Sequence, residues 1–247
     1  MVGRNNIKVV LGGDGGDELF SGYKRYDTFS QYRDNQRGIR SRIRRFCRRK
    51  LTALTDVQHY FQYEGACSAQ LLQDVMGPNI SEESASSALD SLHCLYDKDL
   101  PAVTACQLMD FQHYLPGHIL TKVDRASMHF GVEARVPLLD VRVASLAFSI
   151  DHNTNYRKGE RKAVLKSAAK RFLPTELLSN RKKGFSSPMH KWLNNEIVRW
   201  ASFKIQTGKL VSMGLVDPGV VPGLTDTSTR GRFRVFWLLF AAELWAE

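Results

Sequence analysis

The chain has 247 residues, 43% of them hydrophobic and 24% charged, a composition that fits a soluble globular protein with one large domain or two small ones. Its formal net charge of +10 fits anionic partners of several kinds, among them nucleic acid, a membrane surface and nucleotide phosphates. No apolar stretch reaches the roughly 20 residues of a membrane span, and MVGRNNIKVV has no signal-peptide pattern. Cys47, Cys67, Cys94 and Cys106 are scattered without a C-x-x-C pair, which argues against a disulfide framework or a zinc site; reduced thiols in a cytoplasmic protein are expected.

In chain order, Ile7 to Leu11 (IKVVL) reads as a short buried strand, a β-branched run that stops at glycine. Glu18 to Ser30 reads as a helix with acids in its first turn, where the helix dipole favours them. RDNQRGIRSRIRRFCRRK follows, with Ile39, Ile43 and Phe46 on one helical face and basic residues on the rest. SEESASSALDSLH starts a helix capped by Ser81. PAVTACQLMDFQHYL reads as a helix ending before Pro116, and HILTKVDRASMHFG as another closed by Gly131. DVRVASLAFSI and KGERKAVLKSAAKRFL are further helices, the second stopped by Pro174. SSPMHKWLNNEIVRWASF and RGRFRVFWLLFAAELWAE finish the chain. The total is one strand and about seven helices. A strand, a glycine loop and a helix form the unit of an open α/β sheet, whose ligands sit at the strands' C-terminal ends, yet only one such strand is legible.

That unit holds the chain's most distinctive stretch, GGDGGDE. Gly12, Gly13, Gly15 and Gly16 let the backbone turn tightly and approach a ligand. The helix that follows aims backbone N–H groups at the loop, which favours phosphate. Asp14 and Asp17 repel bare phosphate, but carboxylates reach it through Mg²⁺, which takes carboxylate and phosphate oxygens together. The residues therefore predict a Mg-phosphate site; read alone, they fit a surface turn with a helix cap equally well. An EF-hand is a poorer fit, since DGGDE lacks alternating ligands and a distant bidentate glutamate. None of the seven histidines has the spacing of a metal site or a catalytic dyad.

LGGDGGDELFSGYKRY resembles the second acidic motif of the asparagine synthetase family, L-S-G-[ED]-G-[SGA]-D-E-x-F-x-G-Y. YLPGHILTKVDRASMHFGVEARVPLLD resembles that family's central helix and its V-E-A-R-V-P-x-L-D segment, LLSNRKKGFSSPMHKWL its lysine loop, and FRVFWLLFAAELW its C-terminal helix. The blocks stand in family order. The resemblance implies the C-terminal synthetase domain of a glutamine-hydrolysing asparagine synthetase, with an α/β fold of the ATP pyrophosphatase kind. It implies that ATP adenylylates a carboxylate, releasing pyrophosphate, and that ammonia or an amine then forms the amide. Asp17 falls where the family holds Mg-pyrophosphate. Asp14 falls where a family glutamate orients or deprotonates the amine, and this sequence has the shorter aspartate there. The loop NRKKGF is one residue shorter than R-x-K-x-G-F, so Lys182 and Lys183 are both candidates for the catalytic lysine, placed where a cation meets the negative charge of the adenylate. Read from the residues alone, the two lysines fit a solvated loop. Asp124, Arg125, Glu133, Arg135 and Asp140 are charges within apolar sequence and are expected to form salt bridges that hold helices around the site; Arg125 also falls where the family has a basic residue close to the active site.

The 247 residues contain no S-G-G-x-D-S segment, the family's ATP phosphate loop, and no Cys follows Met1 to act as a glutaminase nucleophile. The expectation is a mostly α chain over residues 1–247, a partial synthetase domain that lacks the N-terminal strands and is inactive alone. A separate chain that supplies the phosphate-loop half is a partner consistent with this. The alternative is a non-catalytic binding or assembly subunit. Nucleic-acid binding through the cluster from Arg33 to Lys50 ranks last, because a solvated helix face explains those charges.

Overall fold

Helices dominate residues 6–37, 55–57, 59, 60, 71, 74, 75, 77, 90–157, 159–179, 195–225 and 230–247, the part of the chain that the computed structural model describes. Two units form: Met1–Val57 with Ser91–Arg181, and Gln58–Asp90 with Lys182–Glu247.

In the first unit, strand β1 (Val9–Leu11) is followed by the glycine turn and a one-turn helix, α1 (Gly16–Leu19). The single helix expected over Glu18 to Ser30 is instead two. Ser21 takes φ 54 and Gly22 N donates to Asp17 O at 2.8 Å, which closes α1 and restarts the chain as α2 (Lys24–Arg37). Tyr26, Phe29 and Arg33, three and four residues apart, are the buried face of α2. That face packs on α3 (Ala102–Met109), whose Val103, Ala105, Cys106 and Met109 are buried.

Helical structure does not stop at Pro116. The chain continues from α3 through a π-helical segment, Asp110–Leu120, into α4 (Thr121–Met128). Proline cannot donate the hydrogen bond an α-turn needs, and the wider turn absorbs that loss. Thr121 Oγ1 donates to Pro116 O at 2.8 Å and serves the carbonyl there. Gly131, at φ 63, then redirects the chain into a second strand, β2 (Glu133–Arg135).

This corrects the expectation of a lone strand. β1 and β2 pair in parallel, with Val9, Val10 and Leu11 opposite Glu133, Ala134 and Arg135. Paired residues share a face, so the Glu133 and Arg135 side chains share one with Val9 and Leu11, while Val10 and Ala134 make up the half-buried opposite face. The charged pair hid β2 in the sequence, because it gives no apolar run.

The chain then turns through Pro137–Leu139 to α5 (Val141–Ser149), where Asp140 accepts from Arg142 N at 2.9 Å as N-cap. Short helices at His152–Asn155 and Thr175–Ser179 flank α6 (Ala163–Ala169). Leu19, Phe20 and Ala147 are the buried centre of a core completed by Phe111, Leu139, Val143, Phe148 and Leu165. Burying side chains such as Leu19 and Phe20 stabilises the unit by about 1.5–3 kcal/mol each.

The charges expected to brace the helices do not do so. Glu133 and Arg135 pair with each other at 3.0 Å and Asp140 with Arg142 at 2.9 Å, all two residues apart and none of them buried. Asp124 and Arg125 lie exposed on α4. Arg33 is buried, not solvated: it donates to Lys98 O at 2.9 Å, pairs with Asp56 at 3.4 Å and contacts the Tyr96 hydroxyl. It is therefore withdrawn from any basic surface. The rest of that cluster from residue 38 to 50, Cys47, Cys67 and the lysine loop with Lys182 and Lys183 lie outside the described residues. Of the SEESASSALDSLH segment, Asp90–Leu95 is described and is helical.

In the second unit, α7 (Asn195–Thr207), α8 (Lys209–Ser212), α9 (Val221–Leu224) and α10 (Arg230–Ala246) enclose a core of Ala201, Ile205, Val221, Leu224, Phe236 and Phe240. Glu243 is fully buried on α10, yet its charge is met: Oε1 accepts from Lys209 N at 2.6 Å and Oε2 from Leu210 N at 3.0 Å. One side chain thus satisfies two backbone donors at the start of α8. Among the described residues no helix is long and apolar enough to cross a membrane.

Candidate functional site

The candidate site begins where β1 ends. Gly12 N donates to Arg135 O at 2.8 Å, extending the ladder by one bond. At Gly13 an added side chain would meet nothing within 4 Å, so the loop faces open space there. Gly15 takes φ 81, a conformation L side chains rarely adopt, and its missing Cβ would lie 2.2 Å from Leu139 Cδ2. Only glycine lets the turn pack this closely on Leu139. Gly16 starts α1, and Asp14 and Asp17 flank the two glycines, both half-buried. With four residues, α1 is too short to offer the helix-end phosphate site that the sequence suggests.

What faces Asp17 instead is a cation. Lys162 Nζ lies 3.1 Å from Asp17 Oδ1, and both side chains keep about a quarter of their surface exposed, 25% and 23%. The two pack across Gly22. A Cβ on Gly22 would stand 1.8 Å from Asp17 Oδ1 and 2.6 Å from Lys162 Cε. Gly22 has no left-handed backbone, so the reason for glycine there is space for this ion pair. Lys162 also lies 3.7 Å from where a Gly16 side chain would begin, so its ammonium borders the glycine loop itself.

Sequence reasoning missed Lys162, because nothing local connects it to the loop. The sequence reads Lys162 as part of one helix, KGERKAVLKSAAKRFL, and only the structure, where α6 starts at Ala163, sets it apart. Lys162 is the N-cap of α6 at φ 57, and a cation at a helix N-terminus opposes the dipole and the usual capping preference. A residue that breaks a local rule marks a constraint from elsewhere. The neighbouring Arg161 is directed to Asp27 at 3.6 Å, and Asp27 also accepts from Tyr156 at 3.0 Å. These contacts tie the segment before α6 to α2.

A buried polar layer supports the loop. Glu18 is 1% exposed and accepts from Tyr23 OH at 2.6 Å, while Gln107 Nε2 donates to Glu18 O at 2.7 Å. Asp110, on the π segment, accepts from Arg25 at 2.8 Å and from Tyr26 OH at 2.5 Å. The Arg25 guanidinium lies 3.7 Å over the Tyr23 ring and 4.9 Å over that of Tyr114. Asn155 Nδ2 donates to Leu19 O at 2.9 Å, fixing the end of α1.

Burial pushes the Glu18 carboxyl above its ordinary range; the Tyr23 hydrogen bond opposes this, and the Asp110 and Asp17 charges add to it. Burial and the neighbouring carboxylate likewise raise Tyr23, which keeps its proton. A carboxyl raised in the folded state stabilises the fold fully below its unfolded pKa, and that contribution is lost as pH rises through the folded value. Glu18→Gln is therefore expected to gain stability relative to the parent as pH rises from about 4 to 8, with the two converging at the acid end. Urea midpoints across that range measure it, and a constant gap would contradict it.

Among the described residues no group of three or more His, Cys, Asp or Glu could hold a metal alone. Mg²⁺ does not need one, since it takes one or two carboxylates and completes its shell with waters and phosphate oxygens. Asp17, a hard oxygen donor that already faces a positive charge at the open glycine loop, fits that habit.

A protein-family model described as asparagine synthase matches residues 1–247. Asparagine synthetase [glutamine-hydrolyzing] 1 of Bacillus subtilis (strain 168) is 27% identical over 221 residues, 82% of this chain and 34% of that protein. A putative asparagine synthetase [glutamine-hydrolyzing] of Mycobacterium tuberculosis (strain ATCC 25618 / H37Rv) is 26% identical over 260 residues, 98% of this chain and 39% of that protein. The chain thus spans 34–39% of the length of these relatives. No solved structure matches it.

Proposed function

The chain belongs to the asparagine synthase family, and from that premise we propose that it carries the pyrophosphate and amine side of an ATP-dependent amide-forming site. The observation that carries the reading is Asp17, set beside the open glycine loop after β1 and matched by Lys162 at 3.1 Å. In the proposed reaction a substrate carboxylate attacks the α-phosphorus of ATP and expels pyrophosphate. An amine then attacks the acyl carbon and expels AMP. Mg²⁺ would supply charge neutralisation at the pyrophosphate oxygens.

This chain's residues divide that work. Asp17 is the oxygen donor for the metal. Gly13 keeps the open side of the loop clear for the phosphates, while Gly12, Gly15 and Gly16 let the backbone turn tightly against Asp14, Leu139 and Leu138. Asp14 is placed to orient the incoming amine or take its proton. Lys182 or Lys183 supplies positive charge to the transition state. ATP and a small carboxylate are the substrates, in a cytoplasmic setting.

The exposed sheet argues for a partner segment. Parallel sheets occur almost only in larger layered folds with both faces covered, yet among the described residues this sheet has two three-residue strands, with Val9 38% and Leu11 74% exposed. We propose that further parallel strands carrying an S-G-G-x-D-S loop complete it, from the same polypeptide or a separate chain.

The 247-residue chain by itself is expected to release no pyrophosphate from ATP, and to do so once a segment with those strands is added. Carboxylate-dependent pyrophosphate release by the pure chain would overturn the need for the segment. Failure of every complemented form would favour the non-catalytic binding or assembly reading, which the two-stranded sheet also fits.

A further inference from the structure

We infer that the Asp17–Lys162 ion pair is an exchangeable latch: Lys162 is a resident cation of Asp17 and leaves it when a divalent cation arrives with a polyphosphate. The inference rests on the Mg-phosphate reading above and names how that site is kept before it is loaded.

Three features support it. First, the ammonium stands 3.1 Å from Asp17 Oδ1, on a carboxylate that a metal would use, so the two cations compete for it. Two cations held by one carboxylate repel each other, which disfavours joint occupancy. Secondly, the pair is not sealed in. Both side chains remain about a quarter exposed at 25% and 23%, and the slot across Gly22 is made by the absence of a side chain. A buried ion pair would be costly to open, whereas this one can part into solvent. Thirdly, Lys162 has somewhere to go. Its Nζ borders Gly16, and the loop is open at Gly13, so a small swing of a long flexible side chain takes the ammonium from Asp17 toward the loop where phosphate oxygens would lie. The neighbouring Arg161 is committed to Asp27 and Tyr156 shares that carboxylate, which anchors the backbone while the Lys162 side chain moves.

The exchange makes a prediction of opposite sign for metal and for metal-phosphate. In the full chain, Mn²⁺ alone, followed by its paramagnetic resonance signal, is expected to bind about tenfold more tightly to Lys162→Met than to the parent, because the competitor is gone. Mg-pyrophosphate, followed by calorimetry, is expected to bind about tenfold more weakly to the same variant, because the phosphate has lost its ammonium. Lys162→Arg keeps the charge and is expected to follow the parent in both. A merely structural lysine would move both affinities the same way or neither. Mn²⁺ binding that is unchanged, weakened or absent in Lys162→Met overturns the latch. Asp17→Asn tests the underlying reading separately. If it leaves Mg-pyrophosphate affinity intact, the loop is not the phosphate site; if it abolishes that affinity while Lys162→Met shows no opposite shifts, only the exchange fails.

Discussion

Gly22→Ala is expected to destabilise the first unit by about 1–3 kcal/mol and to disable the site as thoroughly as loss of Asp17 itself. The new methyl would lie 1.8 Å from Asp17 Oδ1, 2.7 Å from Asp17 Cγ and 2.6 Å from Lys162 Cε, distances no pair of atoms tolerates. Aspartate is too short to move its carboxylate far while its backbone stays in α1, so the carboxylate rotates away and the ion pair opens. A double-mutant cycle separates this account from a general intolerance at Gly22. In an Asp17→Ala background the carboxylate is gone, and Gly22→Ala is expected to be milder by at least about half. Equal losses in the two backgrounds, read from urea midpoints, would mean that the glycine serves something other than the Asp17–Lys162 pair.

Asp110→Ala is expected to be the most damaging single change to the fold around the loop, at about 3–5 kcal/mol. The Asp110 side chain is 3% exposed and that of Arg25 13%, so removing the carboxylate takes a buried charge partner from the guanidinium and an acceptor from the Tyr26 hydroxyl. Asp110→Asn keeps an acceptor oxygen and is expected to lose less, about half of that. The damage should reach the site, because Arg25 lies over the Tyr23 ring and Tyr23 donates to Glu18, which immediately follows Asp17. Thermal or urea unfolding of the two variants tests the order, and an Asp110→Ala protein as stable as the parent would show that the aromatic contacts of Arg25 suffice.

How much of this was legible in the sequence depended on range. Val9–Leu11 was readable as a strand, because a β-branched run that stops at glycine is a local signal, but not as the buried strand expected, since Ile7, Val9 and Leu11 are exposed; Gly15 at φ 81 bears out the need for glycine in the turn. β2 was not readable, because Glu133 and Arg135 share the exposed face of a three-residue strand and leave only Ala134 to hint at a sheet. Pro116 read as a stop and is not one; the π-helical segment Asp110–Leu120, whose wider turn absorbs the missing proline N–H, carries the chain past it. Charge was the least legible property. Arg33 reads as surface and is buried, while Glu133 and Arg135 read as internal braces and lie exposed. In the candidate site, Asp17 stands out through its motif, whereas its contact with Lys162 was not legible, since the two are distant along the chain.

The central claim is that the glycine–aspartate loop serves adenylylation of a carboxylate, and the transfer of an oxygen atom tests it most directly. A candidate small carboxylic acid, labelled with oxygen-18 in its carboxylate, is incubated with ATP, Mg²⁺, ammonia and the chain complemented by strands that carry the S-G-G-x-D-S loop. The account predicts that labelled oxygen appears in AMP, in step with pyrophosphate release, and that Asp17→Asn suppresses both. Label in inorganic phosphate with ADP as the nucleotide product, or label in AMP undiminished by Asp17→Asn, would contradict it.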